Sequence, residues 1–217
     1  WRQPLSTIST ISSGNTIKID YDIFDKVEIK KDFIKIVETT QHLANTIDDF
    51  RNFFMENKHI EKFNLIDILE KDLTLISASI QKYYINVIKN FNSAEIYGIK
   101  NELLQAILNI LSNAKDVLAN QEESTRIIVI DIFKDEKNAN IIIKDSGGGI
   151  SENIKNRIFE PYFTTKDKSV GTGIGLYMTK QIIENNMKGQ LIVLNEEFVV
   201  DENLYYGASF KISLPLN

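Results

Sequence analysis

The feature that most constrains this chain is a pair of short glycine clusters, each next to an apolar segment. The first, DSGGGI at residues 145–150, follows the run IIIK, which is typical of a strand. The second, GTGIGL at residues 171–176, opens the stretch IGLYMTKQIIENN, which is typical of a helix. Glycines at such junctions leave backbone groups open to a ligand, so we expect helices and strands arranged around a binding site.

The residue types in the two clusters suit a nucleotide. Asp145 offers a carboxylate acceptor for the exocyclic amine of adenine, and Gly147 and Gly149 let the backbone approach the base. Backbone N–H groups for the phosphates are expected from Gly171, Gly173 and Gly175 at the helix start. The alternatives are an Asx turn at the first cluster and a flexible loop before an ordinary helix at the second. No Gly-Lys-Ser/Thr ends the second cluster, so it is not a Walker loop.

A third segment, NILSNAKD, lies on a helix predicted over residues 100–119. Asn109 and Asn113 are four residues apart and share one face of this helix. Two amide oxygens together with phosphate oxygens would suit Mg²⁺, while a solvated polar stripe is the alternative. Lys115 is either a phosphate contact or a surface lysine. The opposite face of the helix is expected to be buried through Leu104, Ile107, Leu111, Ala114 and Leu118.

Composition excludes several classes of protein. The 217 residues carry a net charge of −5, which gives no bulk support for nucleic-acid binding. The absence of cysteine excludes disulfides and thiolate metal sites. No apolar run approaches the ~20 residues that a membrane-spanning helix needs, and no signal peptide opens the chain. Because the sequence starts directly at Trp1, we expect a piece of a longer protein, without membrane contact of its own.

The first part of the chain is predicted to form two helices. The second has apolar positions at alternating spacings of three and four residues, typical of a coiled-coil seam: Phe33, Ile36, Thr40, Leu43, Ile47, Phe50 and Phe54. Two helices with one apolar stripe each cannot form a complete core. Pairing of two copies into a four-helix bundle would bury the stripes, and packing against the rest of the same chain is the alternative.

The remainder of the chain reads as mixed α/β. Asn64 is expected to cap a helix that starts with LIDILEKDLTLIS, and YYINVI and AEIYG resemble short strands. RIIVIDIF and NIIIKD are predicted to form a hairpin, and a short helix is expected over residues 153–159. The strands QLIVL and ASFKISLPL close the chain.

Together these segments resemble the ATP-binding domain of bacterial sensor histidine kinases. NILSNAKD resembles the N box of that family, DSGGGI the first glycine box, FEPYFTTK the F box, GTGIGL the second glycine box and GASFKISLPL the closing strand. The resemblance implies an α+β chain: a two-helix hairpin at residues 1–59, half of a dimeric four-helix bundle, and a Bergerat-type α/β sandwich at residues 60–217. It also implies ATP and Mg²⁺ as cofactors.

The resemblance implies roles for individual residues. Asp145 would bind the adenine amine, with support from Ser209 through water. Asn109 and Asn113 would hold Mg²⁺ and serve as the catalytic residues. Further nucleotide contacts are implied for Gly147, Gly149, Ile150, Phe159, Phe163, Thr165, Lys166, Gly171, Thr172, Gly173, Gly175, Leu176 and Lys115, with Phe159 and Phe163 anchoring a lid.

One position separates kinases from hydrolases in this resemblance. Related ATPases carry a water-activating glutamate four residues before the second asparagine, and this chain has Asn109 there. Since an amide is no general base, the pattern favours phosphoryl transfer to a protein acceptor. The alternatives are an ATPase of the same fold and a degenerate kinase that acts only as a dimerisation module.

The front of the chain resembles the phosphoacceptor helices of the same family. In the form HQWRQPL the acceptor histidine lies two residues before the tryptophan, and neither His42 nor His59 matches that position. We therefore expect the chain to bind Mg-ATP without phosphorylating itself at the family site. The implied partners are a second copy of the chain and the aspartate of a response-regulator receiver domain, in a phosphorelay. The implied location is the cytoplasm, with an inner-membrane anchor in the parent protein left open.

Overall fold

The computed structural model describes residues 2–23, 25–54, 59–166 and 172–216. It divides into two compact units. Unit 1 contains Trp1–Met55 and Tyr162–Ile174, and unit 2 contains Glu56–Pro161 and Gly175–Asn217. The predicted domain limits of 1–59 and 60–217 stay a prediction.

Unit 1 contains the predicted pair of helices, α1 (Arg2–Asp20) and α2 (Lys26–Phe54). Asp25 opens α2, because its Oδ1 accepts a hydrogen bond from the Val27 N–H at 2.8 Å. An ion pair of 2.6 Å between Lys18 and Glu28 joins the end of α1 to the start of α2. The helix pair expected from the sequence is thus confirmed.

The predicted seam of α2 is largely open to solvent within one chain. Phe33 exposes 56% of its surface, and Thr40 is also exposed. The side chains of Ile47, Phe50 and Phe54 lie outside the described residues. Where it is described, the apolar stripe of α2 is therefore not covered by a complete core.

Unit 2 is an α/β sandwich, as expected. Its helices are α3 (Leu65–Lys82), α4 (Lys100–Leu118), α5 (Glu152–Lys155) and α6 (Gly175–Lys180), and α6 continues as a wider π-helical turn over Gln181–Asn186. Its strands are β1 (Glu61–Asn64), β2 (Asn86–Phe91), β3 (Glu95–Gly98), β4 (Ile127–Lys134), β5 (Asn138–Asp145), β6 (Gln190–Val200) and β7 (Asn203–Pro215).

The main sheet has the strand order β2-β4-β5-β7-β6, with β2 parallel to β4 and the other neighbours antiparallel. Alternate residues of β4, Ile128, Ile130 and Ile132, are fully buried in the core. From the helices, Leu69 of α3 and Ile107 of α4 are equally buried. The sheet order places the end of β5, and with it Asp145, next to β7.

Local chemistry explains several element boundaries. The Asn64 side chain accepts a hydrogen bond from the Ile66 N–H at 3.0 Å, which confirms the predicted cap of α3. The helix expected over residues 153–159 is shorter, because turns replace it after Lys155. Strand β1 was not predicted, and β6 and β7 extend beyond QLIVL and ASFKISLPL into a long hairpin.

The helices give no sign of a membrane span. Within the described residues, none of them is both long enough and apolar enough to cross a bilayer.

Candidate nucleotide-binding site

Asp145 is a buried carboxylate at the end of β5. Only 6% of the residue is exposed. The Gly147 N–H donates to Oδ1 at 2.9 Å, and the Ala208 N–H of β7 also bonds to the carboxylate. Burial raises the pKa of Asp145 to about 6, and the two backbone hydrogen bonds limit the rise. The group is therefore mostly ionised at neutral pH and presents an acceptor from a largely desolvated position.

The loop after Asp145 needs its glycines for packing within the chain. A side chain at Gly147 would overlap Val117 of α4, and one at Gly207 would overlap the carbonyl oxygen of Asp145. Gly148 and Gly149 have φ values of 84° and 79°, which favour glycine. The loop thus approaches α4 and β7 more closely than the sequence alone suggested.

Two neighbouring hydrogen bonds fix the start of this loop. The Ser146 Oγ accepts from the Ile127 N–H at 2.9 Å and donates to the Thr125 carbonyl at 2.5 Å. Since Ile127 begins β4, the loop is anchored to the strand beside β5 as well as to β7.

The asparagine pair lies on α4, and the structure ties this face of α4 to the first turn of α6. The Asn109 Nδ2 donates to the Gly175 carbonyl at 3.2 Å. The buried Thr179 hydroxyl donates to the same carbonyl at 3.0 Å and lies 3.5 Å from Asn109 Nδ2. Asn113 is half-buried one turn further along α4. The sequence analysis missed Thr179, because Asn109, which its hydroxyl links to α6, lies 70 residues away in the chain.

Lys115 and Phe159 have partners inside unit 2. The Lys115 ammonium pairs with the Asp116 carboxylate at 2.7 Å. The Phe159 ring is half-buried, with the Lys180 ammonium 5.2 Å from its centroid. Their predicted contacts to a nucleotide stay predictions.

Ser209 lies on the wrong face of the sheet for its predicted role. It is buried on β7, in register with Lys144, whereas the Ala208 N–H bonds to Asp145. Because strand side chains alternate, Ser209 and Asp145 point to opposite faces of the sheet. The register therefore places the Ser209 side chain away from the face on which Asp145 would meet the base.

The predicted lid residues Phe163, Thr165, Lys166, Thr172 and Gly173 belong to unit 1. Gly173 has a φ of 65°, and a Cβ there would lie 2.5 Å from the carbonyl carbon of Tyr162. Hydroxyl groups make two local turns, since Thr164 accepts from the Lys166 N–H and Thr172 from the Ile174 N–H. Gly171 and residues 167–170 lie outside the described residues. Leu176 follows Gly175 on α6 in unit 2.

Residues 98–217 match the family model described as "Histidine kinase-, DNA gyrase B-, and HSP90-like ATPase". The chain belongs to this family. The domain that this model describes binds ATP. The nucleotide predicted from the two glycine clusters is therefore confirmed for the domain as a whole.

The relatives narrow the family to sensor histidine kinases. Sporulation kinase A of Bacillus subtilis is 34% identical over 162 residues, which are 74% of this chain and 24% of that protein. The catalytic domain of the histidine kinase ThkA is 26% identical, with a TM-score of 0.59 over 73% of this chain and 96% of that one. The predicted resemblance is thus confirmed: the chain carries a histidine kinase catalytic domain.

A further structure supports the fold of the whole chain. The histidine kinase ThkA, solved in complex with the response regulator protein TrrA, has a TM-score of 0.68 at 21% identity, covering 100% of this chain and 59% of that one. The curated relatives are much longer than this chain. The matched part spans 24% of the length of sporulation kinase A and 20% of the length of sporulation kinase E.

Proposed function

We propose that this chain binds Mg-ATP through unit 2 and transfers the γ-phosphoryl group to a protein histidine. The observation that carries the proposal is the buried Asp145 carboxylate at the end of β5. It is held by two backbone N–H groups and is ionised at neutral pH. A desolvated acceptor in a fixed position is what recognition of the adenine amine requires.

The polar face of α4 fits a magnesium ion. Asn109 and Asn113 are half-buried on one face of this helix, one turn apart. Asn109 uses its Nδ2 as a donor to Gly175, which leaves Oδ1 as the atom to bind a cation. Hard oxygen ligands of this kind suit Mg²⁺, which when bound neutralises charge on the phosphate oxygens.

Asn109 also supports transfer over hydrolysis. Its amide has no basic site to take a proton from water, and its Nδ2 is already engaged with Gly175 and Thr179. Because no general base activates water at this position, phosphoryl transfer depends on a protein acceptor placed in line with the γ-phosphate. We propose that the acceptor histidine lies two residues upstream of Trp1, on the resemblance of WRQPL, and that an aspartate of a response regulator receives the group next.

We propose that a second copy of the chain packs on the exposed apolar seam of α2. The first half of this helix bears a groove of about 490 Å³ that contains Phe33 of the seam and is further lined by Lys26, Ile29, Lys30, Ile34, Val37 and Glu38. Phe33 and the neighbouring Val37 expose 56% and 60% of their surfaces. Exposed apolar residues repeated along one helix are typical of a surface that pairs.

The proposed activity is tested with protein that extends upstream through its natural histidine, incubated with γ-labelled ATP and Mg²⁺. We expect acid-labile label on the protein. Asn113→Ala should slow its appearance by about a hundredfold or more, because a metal that stabilises transferring phosphate is worth several kcal/mol. Asn101→Ala is the matched control, since Asn101 lies exposed in the first turn of the same helix. Release of free phosphate without labelled protein would identify an ATPase instead.

The proposed dimer is tested by a charge in the seam. We expect Phe33→Asp to raise the dimer dissociation constant by about a hundredfold, because burying a phenylalanine contributes about 1.5–3 kcal/mol and a buried carboxylate adds a cost. Sedimentation equilibrium measures this change. Lys35→Asp is the control, because Lys35 lies exposed on α2 outside the heptad seam. A wild-type chain that remains monomeric at all concentrations would contradict this proposal.

A further inference from the structure

One side chain of β6 bonds to both polar backbone atoms of a single residue in the first glycine loop. The Asn195 Oδ1 accepts from the Ile150 N–H at 2.8 Å, and its Nδ2 donates to the Ile150 carbonyl at 2.7 Å. An amide side chain offers one acceptor and two donors in one plane, so this pair of bonds fixes both the position and the orientation of Ile150. Asn195 is half-buried, which shields the bonds from water.

The first glycine loop leaves room for the Asn195 side chain and its two hydrogen bonds to Ile150, which we call the clamp. Gly149 has a φ of 79°, and a Cβ on it would lie 2.8 Å from the Asn195 Oδ1. Any other residue at this position would push the Asn195 side chain away from the loop. A third hydrogen bond joins the loop to the hairpin of β6 and β7, because the Gly148 N–H donates to the Tyr206 carbonyl at 3.1 Å.

The same strand pair also holds Asp145. Asn195 pairs with Ala208 in the β6–β7 register, and the Ala208 N–H bonds to the Asp145 carboxylate. The β6–β7 hairpin therefore contacts both ends of the segment 145–150. A shift of Ile150 would move this short loop relative to the carboxylate.

The hairpin is itself anchored close to Asn195. Phe198, three residues further along β6, stacks on Tyr205 with ring centroids 5.9 Å apart. Phe198 forms a second small core with Ile127 and Val129 of β4, and Tyr205 packs against this core. Asn195 thus projects from a rigid element, which a side chain that positions another group requires.

We propose that Asn195 is a positioning residue for adenine recognition, acting through Ile150 to hold the loop 146–150 in register with Asp145. This inference rests on the proposed function of Asp145. Without the clamp, the loop samples several positions, and the pocket for the base loses its fixed geometry while the phosphate-binding residues are unchanged.

The test compares the affinities of the full chain for ATP and GTP, measured by calorimetry, in wild type and Asn195 variants. We expect Asn195→Ala to lower the ATP affinity about tenfold, since two part-buried hydrogen bonds are lost, and to change the GTP affinity by less than about twofold. The preference for ATP then falls by about the same factor. Asn195→Asp, which is nearly isosteric, should lose most of the preference too, because an oxygen replaces the donor to the Ile150 carbonyl.

Asn203→Ala is the matched control, because Asn203 begins β7 in the same hairpin and its side chain donates locally, to the Asp201 carbonyl at 3.0 Å. Exchange of the Ile150 amide hydrogen gives a second readout and should be faster in Asn195→Ala alone. An unchanged ATP preference in both Asn195 variants overturns this inference and leaves the proposed function standing. Equal losses for ATP and GTP with a lower melting temperature overturn it as well, since they indicate a merely structural role. A wild-type chain without ATP binding overturns the proposed function and this inference together.

Discussion

Replacing Asp145 with asparagine is expected to lower the affinity of the chain for ATP by about a hundredfold while the fold stays intact. The carboxylate is almost fully buried, and its Oδ1 accepts from the Gly147 N–H. Asparagine keeps the volume but loses the charge, and one of its two polar atoms becomes a donor that opposes the adenine amine. A hydrogen bond to a buried charge contributes about 1.5–3 kcal/mol, and an unmatched donor adds a further cost. Calorimetry with a non-hydrolysable ATP analogue measures the change.

The nucleotide preference separates this role from a loss of structure. An amide donor at residue 145 matches the carbonyl oxygen of guanine, so Asp145→Asn should bind GTP at least as well as the wild type does. Asp131→Asn is the control, because Asp131 lies half-buried on the neighbouring strand β4 and bonds to Asn90. Equal ATP affinities in wild type and Asp145→Asn would remove Asp145 from the site.

The pKa of Asp145 adds a pH dependence to the same prediction. Burial raises this pKa to about 6, so the carboxyl becomes protonated as the pH falls through about 6. The neutral group is a weaker acceptor, and the affinity for ATP should fall about tenfold between pH 7 and pH 5. In Asp145→Asn this fall should be absent, because the residue has no proton to gain.

The parts of the site that were predicted from the sequence are those whose chemistry is local. Asp145 and its glycines are adjacent in the chain, and Asn109 and Asn113 are related by one helical turn, so spacing alone brings them together. The cap of α3 was equally readable, because Asn64 immediately precedes the helix that it caps. For such elements, residues that are close in the chain determine the local structure, and contacts between distant segments add little.

The parts that were missed depend on pairing between distant segments. Asn195 and Ile150 are 45 residues apart, and only the register of β6 on β7 brings them together. Register also decided against Ser209, because one step along β7 exchanges the two faces of the sheet. The length of the hairpin was underestimated, since glutamates interrupt the apolar alternation of β6.

The sequence also indicates where Asp72 lies on α3. It follows the buried positions Leu65, Ile68 and Leu69 at helical spacing, so the pattern places a carboxyl group in the core. It is fully buried, and within the described part of the chain neither of its oxygens has a hydrogen-bond partner. Desolvation raises the pKa of Asp72 from 3.8 to about 8, and nearby Lys71 opposes the rise.

We therefore expect the free energy of unfolding to fall as the pH rises from about 4 to about 8. The folded chain keeps Asp72 protonated over this range, whereas the unfolded chain ionises it, so the folded state binds more protons. The contribution is fully present below the unfolded pKa of 3.8 and is lost as the pH rises through about 8. By linkage, the difference between a pKa of 3.8 and one of about 8 corresponds to about 6 kcal/mol. Urea denaturation from pH 4 to pH 9 measures it.

Asp72→Val should remove the part of this dependence that Asp72 causes and leave the smaller fall below about pH 6 that Asp145 causes. It should also make the chain several kcal/mol more stable than the wild type at pH 8, because an apolar group needs no partner. Asp72→Asn should lose the same part of the pH dependence but gain less stability, since its amide stays polar and buried. Asp67→Asn, at an exposed position of the same helix, serves as the control and should keep the wild-type slope. If wild type and Asp72→Val lose stability in parallel as the pH rises from about 6 to about 8, the carboxyl of Asp72 is not the group that titrates. The core would then have to supply Asp72 with a hydrogen-bond partner that stabilises the carboxylate and offsets its desolvation.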